Sequence, residues 1–282
     1  MRRKTKFLHN LASYLLLIIM AGLVLFPFYV ILITSFKDNT EAMTVPFTFW
    51  PQNGFHFDGY IKVLQTDIMG VSFIKGLKNT LTYVIPPTLV GLFMSAMAAY
   101  AFVFVNFKSR KTRYAILLFS MMIPGTVTII PSFLMFETLE WVDTALPLMV
   151  PGFFGGIGTI FFLQQYFKGL PKELIEAAKI DGLSHMNIFL RVVLPLSLPA
   201  LISLSLLGFI GGYNDYFGPM MYLYDPEKYT LQMVLQFTNT TMTYDNQTIM
   251  AGCVITMLPI LILYFFAQKW FIKGITMSGM KV

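Results

Sequence analysis

The chain has 282 residues, 56% hydrophobic and 12% charged, with a mean hydropathy of +0.67 and a formal net charge of +6. Soluble domains carry about 25% charged residues, so this composition excludes an ordinary soluble domain and reads as an integral membrane protein. The basic residues cluster at the ends of apolar runs rather than along one face, which excludes nucleic acid as a partner.

A basic MRRKTK opens the chain, and residues 1–10 form a short N-terminal segment. The apolar run 11–36 follows. A signal peptide has an apolar core of only about 7–15 residues before a small-residue cleavage site, so this longer run reads as a retained spanning helix. Residues 37–78 form a loop in which WPQNGFHFDGY supplies turn residues and aromatics, enough for a small cap or an interfacial helix. The second run, 79–106, contains Pro86, Pro87 and a stripe of small residues, Gly91, Ser95 and Ala99. The third, 114–136, contains Pro124-Gly125, and the fourth, 144–167, contains Pro151, Gly152 and Gly156. A charged stretch, 168–194, separates these from the fifth run, 195–214, with Gly208 and Gly212. The sixth run, 248–268, holds the lone Cys253, a small core residue by its surroundings, and a tail of 269–282 closes the chain.

These runs predict six transmembrane helices in an all-α membrane protein, each near the roughly 20 residues that a bilayer demands. Small residues at four-residue spacing predict close backbone approach between helices. The prolines remove or free backbone hydrogen bonds that must find partners in protein or water. Direction follows from charge. The termini and the two loops on their side contain fifteen Lys and Arg residues, against five on the other side. Basic residues stay in the cytoplasm, so both termini and residues 168–194 are expected there.

No GxxxxGK[ST] phosphate loop, HExxH motif or clustered metal-ligand pattern occurs, and no Ser/His/Asp set stands in a recognisable arrangement. No catalytic or metal-binding residue is therefore assigned, and no cofactor is expected on this chain. The predicted spans carry almost no ionisable residues in their interiors, which disfavours an ion-coupled secondary carrier. Active transport would need energy from a partner.

Residues 168–195, KGLPKELIEAAKIDGLSHMNIFLRVVLP, predict such a connection. Pro171 suits a first helical position, Glu173 and Glu176 suit the first half of a short helix, and Gly182 suits a left-handed C-terminal cap. Ser184 then caps a second helix leading to Pro195. Leu174, Ala177, Ala178 and Ile180 give the first helix an apolar surface. From spacing alone, this helix–corner–helix is either a docking handle or an amphipathic loop on the bilayer surface.

Here the sequence resembles the permease subunits of ABC importers, whose signature is EAA, a glycine four residues later, and I-x-LP. The chain has Glu176, Ala177, Ala178, Gly182 and Val192-Val193-Leu194-Pro195, with valine for the usual isoleucine. NTLTYV (79–84), YNDYFGPMMYLYDPEKYTLQ (213–232) and the tail FIKGITMSGMKV (271–282) are similar to the carbohydrate-uptake branch, closest in type to the maltose-transporter G-subunit group. The resemblance implies a type I ABC importer permease fold in a bacterial plasma membrane, with a permease core over 79–268. It implies a coupling helix with Glu176, Ala177, Ala178, Asp181, Gly182 and Leu183 seated on an ATPase. Expected partners are a homologous permease in a heterodimer, two ATPase subunits that hold ATP and Mg, an extracytoplasmic solute-binding protein and membrane lipid. Tyr213, Asn214, Tyr216 and Phe217 are candidates for the sugar pathway, or else members of an interfacial aromatic belt. The alternative cargo is another solute, such as glycerol phosphate, a polyol or a peptide.

Overall fold

A computed structural model describes residues 2–242 and 245–279; Met280, Lys281 and Val282, which end the matched tail, lie outside the described residues. The described residues form α1 (Arg2–Thr34), α2 (Asn39–Ala42), α3 (Asp58–Gln65), α4 (Phe73–Phe104), α5 (Arg110–Ser120), α6 (Gly125–Thr138), α7 (Leu146–Phe153), α8 (Ile157–Lys168), α9 (Lys172–Ile180) and α10 (His185–Ile188). A π-turn at Phe189–Val193 leads into α11 (Leu194–Leu196), α12 (Leu198–Tyr213) and α13 (Phe217–Tyr222). A 3-10 turn at Pro226–Lys228, α14 (Leu231–Thr241) and α15 (Asn246–Gly279) complete them.

Four stretches are long and apolar enough to cross a bilayer: Asn10–Thr34, Phe73–Phe104, Leu146–Lys168 and Asn246–Lys269. Two bent pairs, α5 with α6 at 94° and α10–α11 with α12 at 79°, raise the number to six where each pair forms one span. The protein is a multi-pass, all-α membrane protein.

The bends fall within the runs predicted over 114–136 and 195–214, and proline explains both. Pro124 lacks an N–H and holds extended backbone, ψ 133°, so α5 cannot continue and α6 starts afresh at Gly125. Pro195 would clash with the carbonyl of Arg191 in a regular helix. The chain instead widens into the π-turn, in which Leu194 N–H reaches back to Phe189 O. Pro199 then opens α12 near its N-terminus, beyond the corner at Ser197. The 144–167 run is also divided, at Phe154-Gly155-Gly156 rather than at Pro151. By contrast, α4 passes unbroken through Pro86 and Pro87.

The chain divides into two compact units, Met1–Phe73 with Val234–Leu258, and Ile74–Met233 with Pro259–Val282. In the first unit, α1 leaves most side chains from Leu11 to Leu32 exposed, while the segment after it folds into a small cap. An ion pair between Lys62 and Asp245, at 2.9 Å, ties α3 to the start of α15.

In the second unit, α8 packs against α5 and α12, and α7 against α13. Its close-packed seam lies between α4 and the α7–α8 junction. A Cβ on Gly91 would lie 2.2 Å from Gly152 O, and one on Gly152 would lie 2.7 Å from Pro87 Cβ. Gly155 adopts φ +88°, which only glycine reaches freely, and faces Ser95. The Ser95 hydroxyl donates to Gly91 O at 2.7 Å and accepts from Gly156 N–H at 3.1 Å. One side chain thus serves two backbone groups at the break. Gly212 and Gly208 likewise let Val84 and Thr88 approach α12.

At the other side of this unit, the loop 223–231 is fastened. The Asp143 carboxylate accepts from Tyr224 N–H at 3.0 Å, Asp225 N–H at 2.9 Å and Lys228 Nζ at 2.8 Å. Asn79 Nδ2 donates to Glu227 O and Tyr229 O, both at 2.9 Å, and Leu231 N–H donates to Thr80 Oγ1 at 2.8 Å. Burial raises the Asp143 carboxyl, but Lys228 and the two backbone amides outweigh it and hold its pKa below the usual value.

Replacing Gly91 by alanine should destabilise the protein by about 1–3 kcal/mol, because the seam has no room for a methyl group. Gly22→Ala, in α1 with nothing near its Cβ position, serves as the neutral control, read by thermal unfolding in detergent. The Asp143 clamp should respond to acid. A lowered folded-state pKa stabilises above the unfolded value of about 3.9 and is lost as pH falls through the folded pKa. Hydrogen exchange at Tyr224 and Asp225 should therefore accelerate only below about pH 4. In Asp143→Asn the exchange should already be fast at neutral pH and should lose that dependence.

Candidate functional site

The elbow predicted from sequence is built by α9 and α10. Pro171 stands just before the helix, at φ −58° and ψ 118°, so α9 starts one residue later than expected, at Lys172. Glu173 occupies the first turn, where the helix dipole favours an acid. The other end closes by two backbone bonds. Leu183 N–H reaches Ala178 O at 3.0 Å and Gly182 N–H reaches Lys179 O at 3.0 Å, the Schellman pattern. Gly182 has φ +78°, and a Cβ there would meet no atom within 4 Å. The requirement for glycine at this corner is therefore one of backbone conformation and not of space. Ser184 Oγ accepts from Asn187 N–H at 3.3 Å and starts α10 immediately. Two residues, Gly182 and Leu183, thus separate two capped helices.

The elbow has a packed side and an open side. Ile175 and Ala178 are buried in one apolar cluster with Ala96, Ala99, Phe167 and Phe189, and Leu183 packs against it. Of the six predicted coupling residues, Ala178 is thus enclosed by the chain itself and Leu183 is half-buried. Glu176, Ala177, Asp181 and Gly182 are exposed. Beside them stand Leu174, Met186 and Ile180, the last 86% exposed at the tip of α9. Ile180 thus stands exposed between two charged neighbours, Lys179 and Asp181.

A second set of residues roots α10 in the membrane helices, and the sequence carried no signal for it beyond their aromatic character. Tyr100 of α4 lies 3.1 Å from His185 Nδ1 through its hydroxyl and packs on Phe189 with ring centroids 5.3 Å apart. Phe93 meets Phe189 from the preceding turns of α4, at 5.7 Å.

The predicted pathway residues occupy the junction of α12 and α13, and the structure gives them different surroundings. Tyr213 is wholly buried, its ring 5.5 Å from Phe209. Asn214 is exposed; its Nδ2 donates to Ile210 O at 3.0 Å and its Oδ1 accepts from Gln232 at 3.3 Å. Tyr216 is partly exposed, and Phe217 is exposed. Asp215, between them, accepts from Gly218 N–H at 3.1 Å and secures the first turn of α13. A cavity of 210 Å³ opens beside this junction, walled by Tyr83, Pro87, Thr88, Gly152, Gly212 and Asp215 among others. Among the described residues, no group of three or more His, Cys, Asp or Glu side chains gathers in a way that could hold a metal ion.

Comparison with known proteins gives this arrangement its context. Residues 60–277 match the family model described as the binding-protein-dependent transport system inner membrane component. The chain is 30% identical to the arabinooligosaccharides transport system permease protein AraQ of Halalkalibacterium halodurans, over the full length of both chains. It is 31% identical to the sn-glycerol-3-phosphate transport system permease protein UgpE of Pectobacterium atrosepticum, covering 95% of this chain and 96% of that protein. A crystal structure of a bacterial ABC transporter involved in the import of the acidic polysaccharide alginate contains a chain that superposes with a TM-score of 0.81. The two are 25% identical, and the match covers 95% of this chain and 98% of that one. The chain therefore belongs to the binding-protein-dependent inner membrane components, the permease subunits of ABC importers.

Proposed function

We propose that this chain is one of two homologous permease subunits of an ATP-driven importer for sugars or oligosaccharides. It lies in a bacterial plasma membrane with both termini in the cytoplasm. The orientation rests on the fifteen-to-five division of basic residues. The cargo class rests on the relatives, among them a permease named for arabinooligosaccharides.

One observation carries the coupling role: the elbow is rooted on one side and open on the other. Ile175 and Ala178 are fixed in the cluster that contains α4 and α8, while Ile180, Ala177 and Glu176 face outward. A capped two-helix corner held this way transmits displacement, where a floppy loop would absorb it. In the proposed mechanism, α9 sits in a cleft of a cytoplasmic ATPase subunit. Two such subunits bind ATP and Mg and close, and both elbows move together. The membrane helices then pass from inward-facing to outward-facing. The chain itself binds no cofactor and breaks no bond. On the far side, an extracytoplasmic solute-binding protein delivers the cargo to the outer loops.

Asn214, Tyr216 and Phe217 are the proposed sugar-facing residues, with Tyr213 supporting them from the core. Aromatic faces and an amide suit a hydroxylated ring. The glycerol-phosphate relative favours a second cargo. However, residues 213–222 include no Lys or Arg, and nearby Lys228 is already engaged by Asp143 and Asp225. A phosphate would want a cation there, so the segment favours an uncharged sugar.

The coupling role predicts graded effects at the corner. Gly182→Asn should be the mildest change and Gly182→Val the most severe, with Gly182→Ala between them at a local cost of about 1 kcal/mol. Ile180→Glu and Glu176→Lys should leave membrane insertion intact but reduce co-purification of the ATPase and abolish uptake. Wild-type uptake by both charge variants at normal expression would falsify the handle.

A further inference from the structure

The cap after α1 presents a surface to which the proposed transport mechanism assigns no residue. Residues 43–57, MTVPFTFWPQNGFHF, contain no Asp, Glu, Lys or Arg. Val45 is 94% exposed, Phe49 62% and Trp50 59%, with Phe47, Phe55 and Phe57 beside them. This is an apolar patch, not a scatter of single exposed residues.

The patch is preformed. The Glu41 carboxylate, itself buried, accepts from Thr48 Oγ1 at 2.7 Å, Gln52 N–H at 3.0 Å and Asn53 N–H at 3.3 Å. Lys37 Nζ donates to Thr48 O and lies 4.0 Å from the centre of the Phe47 ring. Phe47 meets Phe49 at 5.5 Å and Trp50 meets Phe55 at 5.3 Å, both edge to face. A buried layer of charged groups thus backs the loop: the Phe47 ring lies over it, while Phe49 and Trp50 stand exposed. Holding them out costs little further ordering when they meet a partner.

Depth identifies the partner. The Tyr29 hydroxyl donates to Phe49 O. Tyr29 belongs to α1, five residues before its end at Thr34. At 1.5 Å per residue the Phe49 backbone is level with a point about 7 Å inside the end of the helix. The loop folds back alongside the spanning helix instead of rising away from it. Its exposed rings continue the uncovered apolar surface of α1 at the boundary between acyl chains and headgroups, where tryptophan and other aromatics partition best.

We propose that residues 45–50 form an interfacial anchor, with Phe47, Phe49 and Trp50 inserted among the lipids of the leaflet at which α1 ends. It fixes the vertical position of α1. The partner is a lipid surface, not a protein.

The test uses the full chain with the subunits that co-purify with it, in phosphatidylcholine nanodiscs. Trp141→Phe and Trp270→Phe leave Trp50 as the sole tryptophan of this chain, and a matched sample that also carries Trp50→Phe gives the partners' emission to be subtracted. The Trp50 emission should be blue-shifted and lose intensity with lipids carrying a nitroxide near the acyl carbonyl. A nitroxide near the chain end should quench less, and aqueous iodide should quench little. Quenching by iodide without quenching by lipid would place the loop in water and overturn the anchor. Protection from both quenchers would place it against a protein partner and overturn it equally. Should the tryptophan variants not fold, a spin label at Val45→Cys in a Cys253→Ser chain gives the same reading. Oxygen should then broaden its spectrum more than a water-soluble nickel chelate does, and the reverse order rejects the proposal.

Discussion

A backbone that leaves helical geometry inside a bilayer must find its hydrogen-bond partners within the protein, because hydrocarbon offers none. Ser95 supplies one at the point where α7 gives way to α8. Its hydroxyl bonds Gly91 O in its own helix and takes up the Gly156 N–H across the seam. That double use is possible only because Gly91, Gly152 and Gly155 let two backbones nearly touch. Lipid gives apolar helices no hydrophobic reward for associating, so close contact and shared hydrogen bonds must hold them. The seam lets a broken span exist, and the break lets α8 take its own course into the cluster beneath the elbow.

That cluster explains why a nine-residue helix outside the membrane can act as part of the membrane domain. Ile175 and Ala178 project into the same packed group as Ala96 and Ala99 of α4 and Leu163 and Phe167 of α8. Packed interiors have low compressibility, so a push on α9 moves its neighbours with it. Gly182 sets the angle between α9 and α10, and the Tyr100–His185–Phe189 contacts hold α10 against α4. The π-turn and the 79° corner at Ser197 follow directly. Stiff and bent elements therefore alternate: a capped two-helix elbow, then a bent junction, then a spanning helix.

Much of this was legible in the sequence. The apolar runs marked the spans, since a bilayer crossing demands about 20 residues without charge and soluble cores rarely do. The elbow was readable because its caps are local: Gly182 and Ser184 act on backbone within five residues of themselves. The stripe of Gly91 and Ser95 announced a close approach but not which helix would meet it, and the partner proved to be Gly155 as well as Gly152. Long-range pairings stayed hidden for the same reason. NTLTYV and YDPEKYTLQ each stood out, but nothing in either predicts that Asn79 and Thr80 bind the backbone at Glu227, Tyr229 and Leu231. Tyr213 looked like its neighbours Tyr216 and Phe217 on paper; only packing distinguishes a buried ring from an exposed one. The proline bends were visible as residues and invisible as angles, because a proline permits a kink, a break or, as at Pro86 and Pro87, neither.

The persistence of α4 through those two prolines has a mechanical consequence. At one end, Asn79 and Thr80 hold the clamped loop 223–231. At the other, Ala96, Ala99 and Tyr100 hold the root of the elbow. Thr80 and Tyr100 lie twenty residues apart, which at 1.5 Å per residue is about 30 Å, the thickness of the hydrocarbon core. In the proposed mechanism, one continuous helix thus joins the part that faces the energy source to the part that faces the cargo. The fastenings differ in kind: apolar packing at the elbow, charged and backbone hydrogen bonds at the loop. Packing tolerates small sliding, whereas directional hydrogen bonds hold register. In that mechanism a displacement begun at α9 would reach the loop as movement of α4 as a body, and the loop would follow because its bonds to α4 resist slippage.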